Sequence, residues 1–250
     1  MRQRVRGALR KRNGAVSLLL GVCTTRAGQT STSWATSLAW SLAASRSVVL
    51  VDCDMEGGTI ADLLYLRLDD RGLANCFGDR PVTATVLGAQ AIPVPDRPRL
   101  RVIPGLRGTY GSEIGECLRS IAPALRDLDC DAVVVDLGHP WAHTSLRSPR
   151  AAADAVCSVF DRLFIVIRDD PALLSRSIDV LRTARPPHGE LIVCQQRGAA
   201  HRRVLVESIE RELPDLPLRR GWEWDERRAA RVADTGRPTV LSGIESELHL

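Results

Sequence analysis

Two carboxylates stand two residues apart where an apolar run gives out: the stretch 48–52 leads into Asp52-Cys53-Asp54. On an emerging strand alternate side chains point the same way, so both acids are expected to face one site at the carboxyl edge of a sheet. A third acid, Asp136, closes the run Asp131-Ala132-Val133-Val134-Val135. Each acid alone reads equally well as a solvated loop residue or a helix cap; three at strand ends mark a candidate site. Beside them, an earlier apolar run passes into Cys23-Thr24-Thr25-Arg26-Ala27-Gly28-Gln29-Thr30-Ser31 and then into a small-residue helix through Leu42. A tight turn from strand into helix aims backbone N–H groups and the positive end of the helix dipole at one point, which suits an anion.

The elements that must position these groups repeat along the chain. Short runs rich in β-branched residues fall at 16–23, 48–52, 100–103, 132–136, 163–167 and 190–194, each followed by a stretch of helical character. That alternation predicts α/β architecture: one mostly parallel, twisted sheet flanked by helices on both faces. The runs are apolar almost throughout, as in strands buried on both sides. Asp169-Asp170-Pro171 offers a cap and a first-turn proline for a helix over 172–185, which Pro186-Pro187 end. Further helices are expected from Ala199 to Leu213 and from Asp225 to about Thr235, the latter stopped by Gly236. The region 67–99, broken by glycines and prolines, reads as loop with one short helix near 83–90.

At 250 residues and 44% apolar content, the chain is long enough for one substantial core, and one domain over 15–250 is expected. The net charge of +4 belongs to an arm: the first twelve residues carry six positive charges and no acid, so 1–14 reads as a basic, disordered leader. Lys11 is the only lysine; every other cation is arginine. The seven cysteines show neither a Cys-x-x-Cys pair nor a histidine at metal-ligand spacing, which argues against zinc and against a disulfide framework. The leader followed by 15–23 imitates a secretory signal, but the apolar run is short and Val22 is larger than a cleavage site wants. A cytoplasmic location is expected, and no transmembrane span is present in the sequence.

The order of these motifs resembles the MinD/ParA family of P-loop ATPases, including the relatives in pilus assembly and septum siting called CpaE- or TadZ-like. The likeness runs from about residue 15 to 240. The family's phosphate loop, lysine-glycine-glycine-x-glycine-lysine-threonine followed by threonine or serine, falls on Thr24 through Ser31. The resemblance implies that these residues hold the phosphates of ATP, that Thr30, Asp52 and Asp136 attend a magnesium ion, and that Asp54 lies near the attacking water. Gln195-Gln196 stands where the family has an asparagine facing the base, which makes Gln195 a cofactor-binding candidate. Leu218 to Pro238 is similar to the family's closing strand and its Gly-x-Pro ending.

The loop departs from that pattern. Only Gly28, Thr30 and Ser31 keep the family residue; Gln29 takes the place of the phosphate-bridging lysine and Thr24 that of the signature lysine. Phosphoryl transfer depends on charge placed at developing negative oxygens, and removing one such donor typically costs on the order of a hundred- to a thousandfold in rate. Arg26 is the only cation in the loop, at a position where the family has glycine. Its guanidinium either supplies the missing charge or spoils the cradle.

The expectation is therefore a P-loop-fold protein with a weakened or lost ATPase site, binding ATP and magnesium weakly or not at all. It would act as a positioning or scaffold factor with a protein partner from a partition, septum, pilus or secretion machine, and as a homodimer where the family habit holds. The alternatives are an active ATPase using Arg26, and a non-specific DNA-binding partition protein using the basic arm. Ten arginines in the last third are nearly offset by acids and read as a salt-bridged surface. Trp222 and Trp224 read as packing on an edge strand, and His139 and His143 as solvent-facing residues near the site. The segment 242–250 is short and acidic, unlike a basic membrane-binding helix.

Overall fold

A computed structural model describes residues 17–54, 58–67, 70–77, 81–105, 114–141, 149–187, 189–195, 199–223, 232 and 234–248. Its strands are β1 (Leu18–Thr24), β2 (Val48–Asp52), β3 (Ile92–Val94), β4 (Arg97–Ile103), β5 (Ala132–Asp136), β6 (Arg162–Arg168), β7 (Gly189–Gln195) and β8 (Leu218–Glu223). They form one sheet in the order β3-β4-β2-β5-β1-β6-β7-β8. All described pairings are parallel except β3 with β4. The order turns around β1: later strands fill in on one side as β2, β4 and β5, then cross to β6, β7 and β8. Crevices for ligands form at such a reversal, outside the carboxyl ends of the strands.

Helices cover both faces unequally. On one face lie α1 (Ser31–Leu42), the single turn α2 (Ile60–Leu63) and a short helix Ile244–Leu248. They bury Trp34, Leu38, Ile60 and Ile244 against Leu20, Val22, Leu50 and Val134 of the sheet. The other face carries α3 (Ala84–Ala89), α4 (Ile114–Arg126), α5 (Pro149–Cys157), α6 (Pro171–Ala184) and α7 (Ala199–Glu212). Here Leu118, Val156, Ile178 and Ile209 pack on Leu19, Val133, Ile165 and Val193. Odd and even residues of β1 thus serve different cores, as strand alternation requires.

The predicted runs become strands, with β1 starting at Leu18, β4 reaching back to Arg97 and α3 lying inside the short helix read at 83–90. Asp170 caps α6 as expected, its Oδ1 accepting from the N–H groups of Ala172 at 3.0 Å and Leu173 at 3.1 Å. The reading of 92–94 as loop is corrected: Ile92-Pro93-Val94 is a strand at the sheet's edge. A proline suppresses a strand reading in sequence, yet an edge strand tolerates one because its outward amide has no ladder partner to lose. The helix expected over 225–235 lies mostly outside the described residues; Val232, Asp234 and Thr235 are helical, and Gly236 follows at φ +64°. The arm 1–14 lies outside them as well. Among the described residues no helix is long and apolar enough to cross a membrane.

Candidate functional site

At the carboxyl edge, Asp52 of β2 and Asp136 of β5 are register partners. Asp136 also pairs in register with Val22 of β1, whose side chain belongs to the core under α1, so both acids point to the α1 face. Asp136 is fully buried: its Oδ1 accepts from the Gly138 N–H at 3.2 Å, the Thr32 hydroxyl donates to the carboxylate, and Oδ2 has no hydrogen-bond partner among the described residues. Burial pushes its pKa up to about 6, against the pull of the Thr32 hydroxyl and the Gly138 N–H.

Asp52 is sealed. Its Oδ2 accepts from the Ile60 N–H at the start of α2 at 3.1 Å, and its Oδ1 from the Asp54 N–H at 3.3 Å. A Cβ on Gly58 would lie 2.1 Å from Asp52 Oδ2, and one on Gly105 would lie 3.0 Å from Asp52 Cγ, so only glycine backbone fits against this carboxylate. Burial and then the charge of Asp136 raise the Asp52 pKa to about 7, partly countered by the two N–H donors. Asp54 is half-buried and packs on Gly138, where a Cβ would come within 2.5 Å of its carboxylate; Gly138 also has φ +56°. The three acids share one neighbourhood, as their mutual charge effects show. They are not disposed as a metal cage: among the described residues no three His, Cys, Asp or Glu side chains are placed to hold a metal ion.

The loop between β1 and α1 turns through Gly28 at φ +78° and Thr30 at φ +67°. The Gly28 backbone therefore needs a glycine or a strained residue, whereas Thr30 occupies the left-handed region despite its branched Cβ. The first intrahelical bond of α1 runs from the Trp34 N–H to the Thr30 carbonyl, which leaves the N–H groups of Ser31, Thr32 and Ser33 directed out of the helix start. The Thr30 hydroxyl is turned back, donating to the Gln29 carbonyl and bonding the Cys194 thiol of β7.

Gln29 is 1% exposed and points away from the helix mouth, toward α6. Its Nε2 donates to Thr25 Oγ1 at 3.0 Å and to Ser177 Oγ at 3.1 Å, while its Oε1 accepts from the Arg168 N–H at 3.1 Å. Thr25 Oγ1 donates to Ser177 Oγ at 2.7 Å, and Ser177 Oγ donates onward to the Leu173 carbonyl at 2.8 Å. Both amide hydrogens and the carbonyl of Gln29 are engaged, so the network is closed and buried. Arg168 also reaches the loop by side chain, its Nη1 donating to the Gly28 carbonyl at 3.2 Å.

The structure thus gathers Thr24, Thr25, Arg26, Ala27, Gly28, Gln29, Thr30 and Ser31 at the mouth of α1, next to Asp52, Asp54 and Asp136. Thr24 Oγ1 is buried without a hydrogen-bond partner among the described residues, and Arg26 is exposed. Gln195 closes β7, but its side chain and all of Gln196 lie outside the described residues, as do His143 and Trp224. His139 is corrected: it is buried, because the chain folds back over β1 directly after Gly138, whose carbonyl accepts from the Thr24 N–H. Sequence reading missed Ser177, Arg168 and Thr32. Arg168 stood next to the recognised Asp169-Asp170-Pro171, but nothing local marks Ser177 as the anchor of a loop 148 residues earlier.

The residues fit a magnesium triphosphate poorly. The orphaned Asp136 Oδ2 and the outward N–H groups of α1 suit it, but the Gln29 amide and the Thr30 hydroxyl are both engaged within the protein.

No protein-family model and no curated protein sequence matches the chain. Solved structures do match. A ParA family ATPase from Chlorobium tepidum superposes with a TM-score of 0.67 at 18% identity, covering 94% of this chain and 100% of that one. A Cyanothece McdA variant in complex with ATP gives 0.65 at 15% identity, covering 95% and 98%. MinD in the Aquifex aeolicus MinC:MinD cell division complex gives 0.64 at 13% identity, covering 89% and 87%. These likenesses establish the fold: the chain is built as the ParA family ATPase, McdA and MinD structures are.

Proposed function

We propose that this chain is a positioning or scaffold factor on the ParA/MinD plan whose nucleotide site is weakened or lost. The observation that carries the reading is the Gln29 amide, which occupies the lysine position and is held by Thr25, Ser177 and Arg168 instead of facing the helix mouth. A lysine there would supply a full charge to phosphate oxygens; this amide supplies none, and freeing it would break three hydrogen bonds, two of them buried and one partly buried. The fold then serves protein contacts, a reading that the MinC:MinD complex among the structural relatives supports; the partner belongs to a partition, septum, pilus or secretion machine in the cytoplasm, and the chain works there as a homodimer.

One observation favours a second reading, an ATPase using Arg26: that guanidinium is exposed in the loop, and Asp136 keeps an oxygen without a partner among the described residues. Titrating the protein with labelled ATP and magnesium, and following phosphate release, separates the two. The scaffold reading expects no saturation at micromolar ATP and no turnover above buffer. Turnover that disappears in Asp54→Ala sinks it. The DNA-binding alternative rests on residues 1–14; deleting them should leave any salt-sensitive DNA binding unchanged if the scaffold reading holds.

A further inference from the structure

Residues 236–245 lie as a strap along the α1 face. At one end Gly236 rests on the close of α2, where a Cβ would come 2.6 Å from Tyr65 Cδ2 and 3.3 Å from the Leu64 carbonyl carbon. Farther on, Arg237 pairs with Asp96 at 2.8 Å, the Leu241 N–H donates to Ser41 Oγ of α1 at 2.7 Å, and Glu245 faces Arg46 at 3.8 Å. Leu241 and Ile244 are buried in the same core as Ile60, Leu64 and Trp40. The strap is held lightly, because the Arg237–Asp96 and Arg46–Glu245 pairs are solvated and such pairs stabilise little. A helix of one turn has little stability of its own, so α2 persists through what packs on it. Its first amide closes the acid site: the Ile60 N–H is one of two donors to the Asp52 carboxylate. Strap, α2 and carboxylate are therefore connected in series.

We propose that the strap and α2 form one latch that opens as a unit while the sheet stays folded, and that its opening uncovers Asp52. Segments that bury few side chains open locally at a fraction of the global cost, and this strap buries Pro238, Leu241 and Ile244 besides Gly236. When it lifts, Gly236 leaves the Leu64 carbonyl, α2 loses its cover and unwinds, and the Ile60 N–H leaves Asp52. A partner that draws Leu241 and Ile244 out of the core thus exposes the acid from the α1 side. The latch covers the carboxylate whether or not the loop holds nucleotide, so it stands apart from the proposed loss of the nucleotide site.

Amide hydrogen exchange of the full chain, followed residue by residue by NMR, tests it, with thermal melts to show that each variant is folded. In the parent the N–H groups of Leu241, Ile60, Leu63 and Leu64 should share one level of protection, lower than that of the β1 amides. Ile244→Val trims the strap's packing and should speed those four amides by a common factor of about fivefold, with β1 and β6 unchanged. Asp96→Asn weakens the strap's tie to the turn between β3 and β4 and should speed the same four about twofold. The proposal is overturned if Leu241 quickens while Ile60, Leu63 and Leu64 do not, since the strap then opens without α2. It is equally overturned if β1 and β6 quicken by the same factor, which makes the event global unfolding, or if neither substitution moves the four amides.

Discussion

Gln29 and Ser177 lie 148 residues apart in the chain and are joined by a buried hydrogen bond of 3.1 Å, with Thr25 closing the triangle. In this arrangement α6 holds the loop in place from behind. Removing the shared acceptor is the direct test. Ser177→Ala leaves the Gln29 amide and the Thr25 hydroxyl short of a partner and should cost about 1–3 kcal/mol in urea unfolding. Because the three side chains form one network, Ser177→Ala combined with Gln29→Ala should cost clearly less than the two single changes added together.

Restoring the family lysine should not restore a nucleotide site. Gln29→Lys brings an ammonium into a pocket built for an amide and removes the acceptor of the Arg168 N–H. A loss of about 2 kcal/mol or more is expected on melting, with no gain in ATP affinity by titration. A large gain in affinity would show that the loop reorganises around the charge.

The buried acids set a pH dependence with a definite sign. Asp52 and Asp136 have folded pKa values raised to about 7 and about 6, above the usual carboxylate range. Each therefore binds its proton more tightly when folded, and its contribution favours folding at low pH and fades as pH rises from about 4 through the folded value. Each tenfold difference in proton affinity corresponds to roughly 1.4 kcal/mol. Melting curves across pH 5 to pH 8 should show falling stability, and Asp52→Asn should flatten that slope by removing the larger of the two displacements.

Steric closure over the acids is tested by one methyl group. Gly58→Ala would place its Cβ 2.1 Å from Asp52 Oδ2, a contact that forces the backbone or the carboxylate to move. The expected loss is about 1–3 kcal/mol, as for other overpacked sites. The companion Gly105→Ala, whose nearest approach is 3.0 Å, should cost less.

Much of the architecture was legible because it rests on local signals: apolar runs that must be buried on both faces, and an Asp-Pro pair that starts α6. The three acids were legible for the same reason, since each ends a run, and the structure brings them together. What could not be read was direction. Nothing around Gln29 tells whether its amide faces the helix mouth or the core; that depends on Ser177 and Arg168, which tertiary packing alone delivers. The turned hydroxyl of Thr30 depends in the same way on Cys194 of a distant strand.

The edge strand β3 has a consequence for assembly. At three residues long with Pro93 at its centre, it presents an incomplete row of amide donors to the outside. Continuous main-chain pairing of a further chain along β3 is interrupted at Pro93, which blunts this margin of the sheet against strand addition.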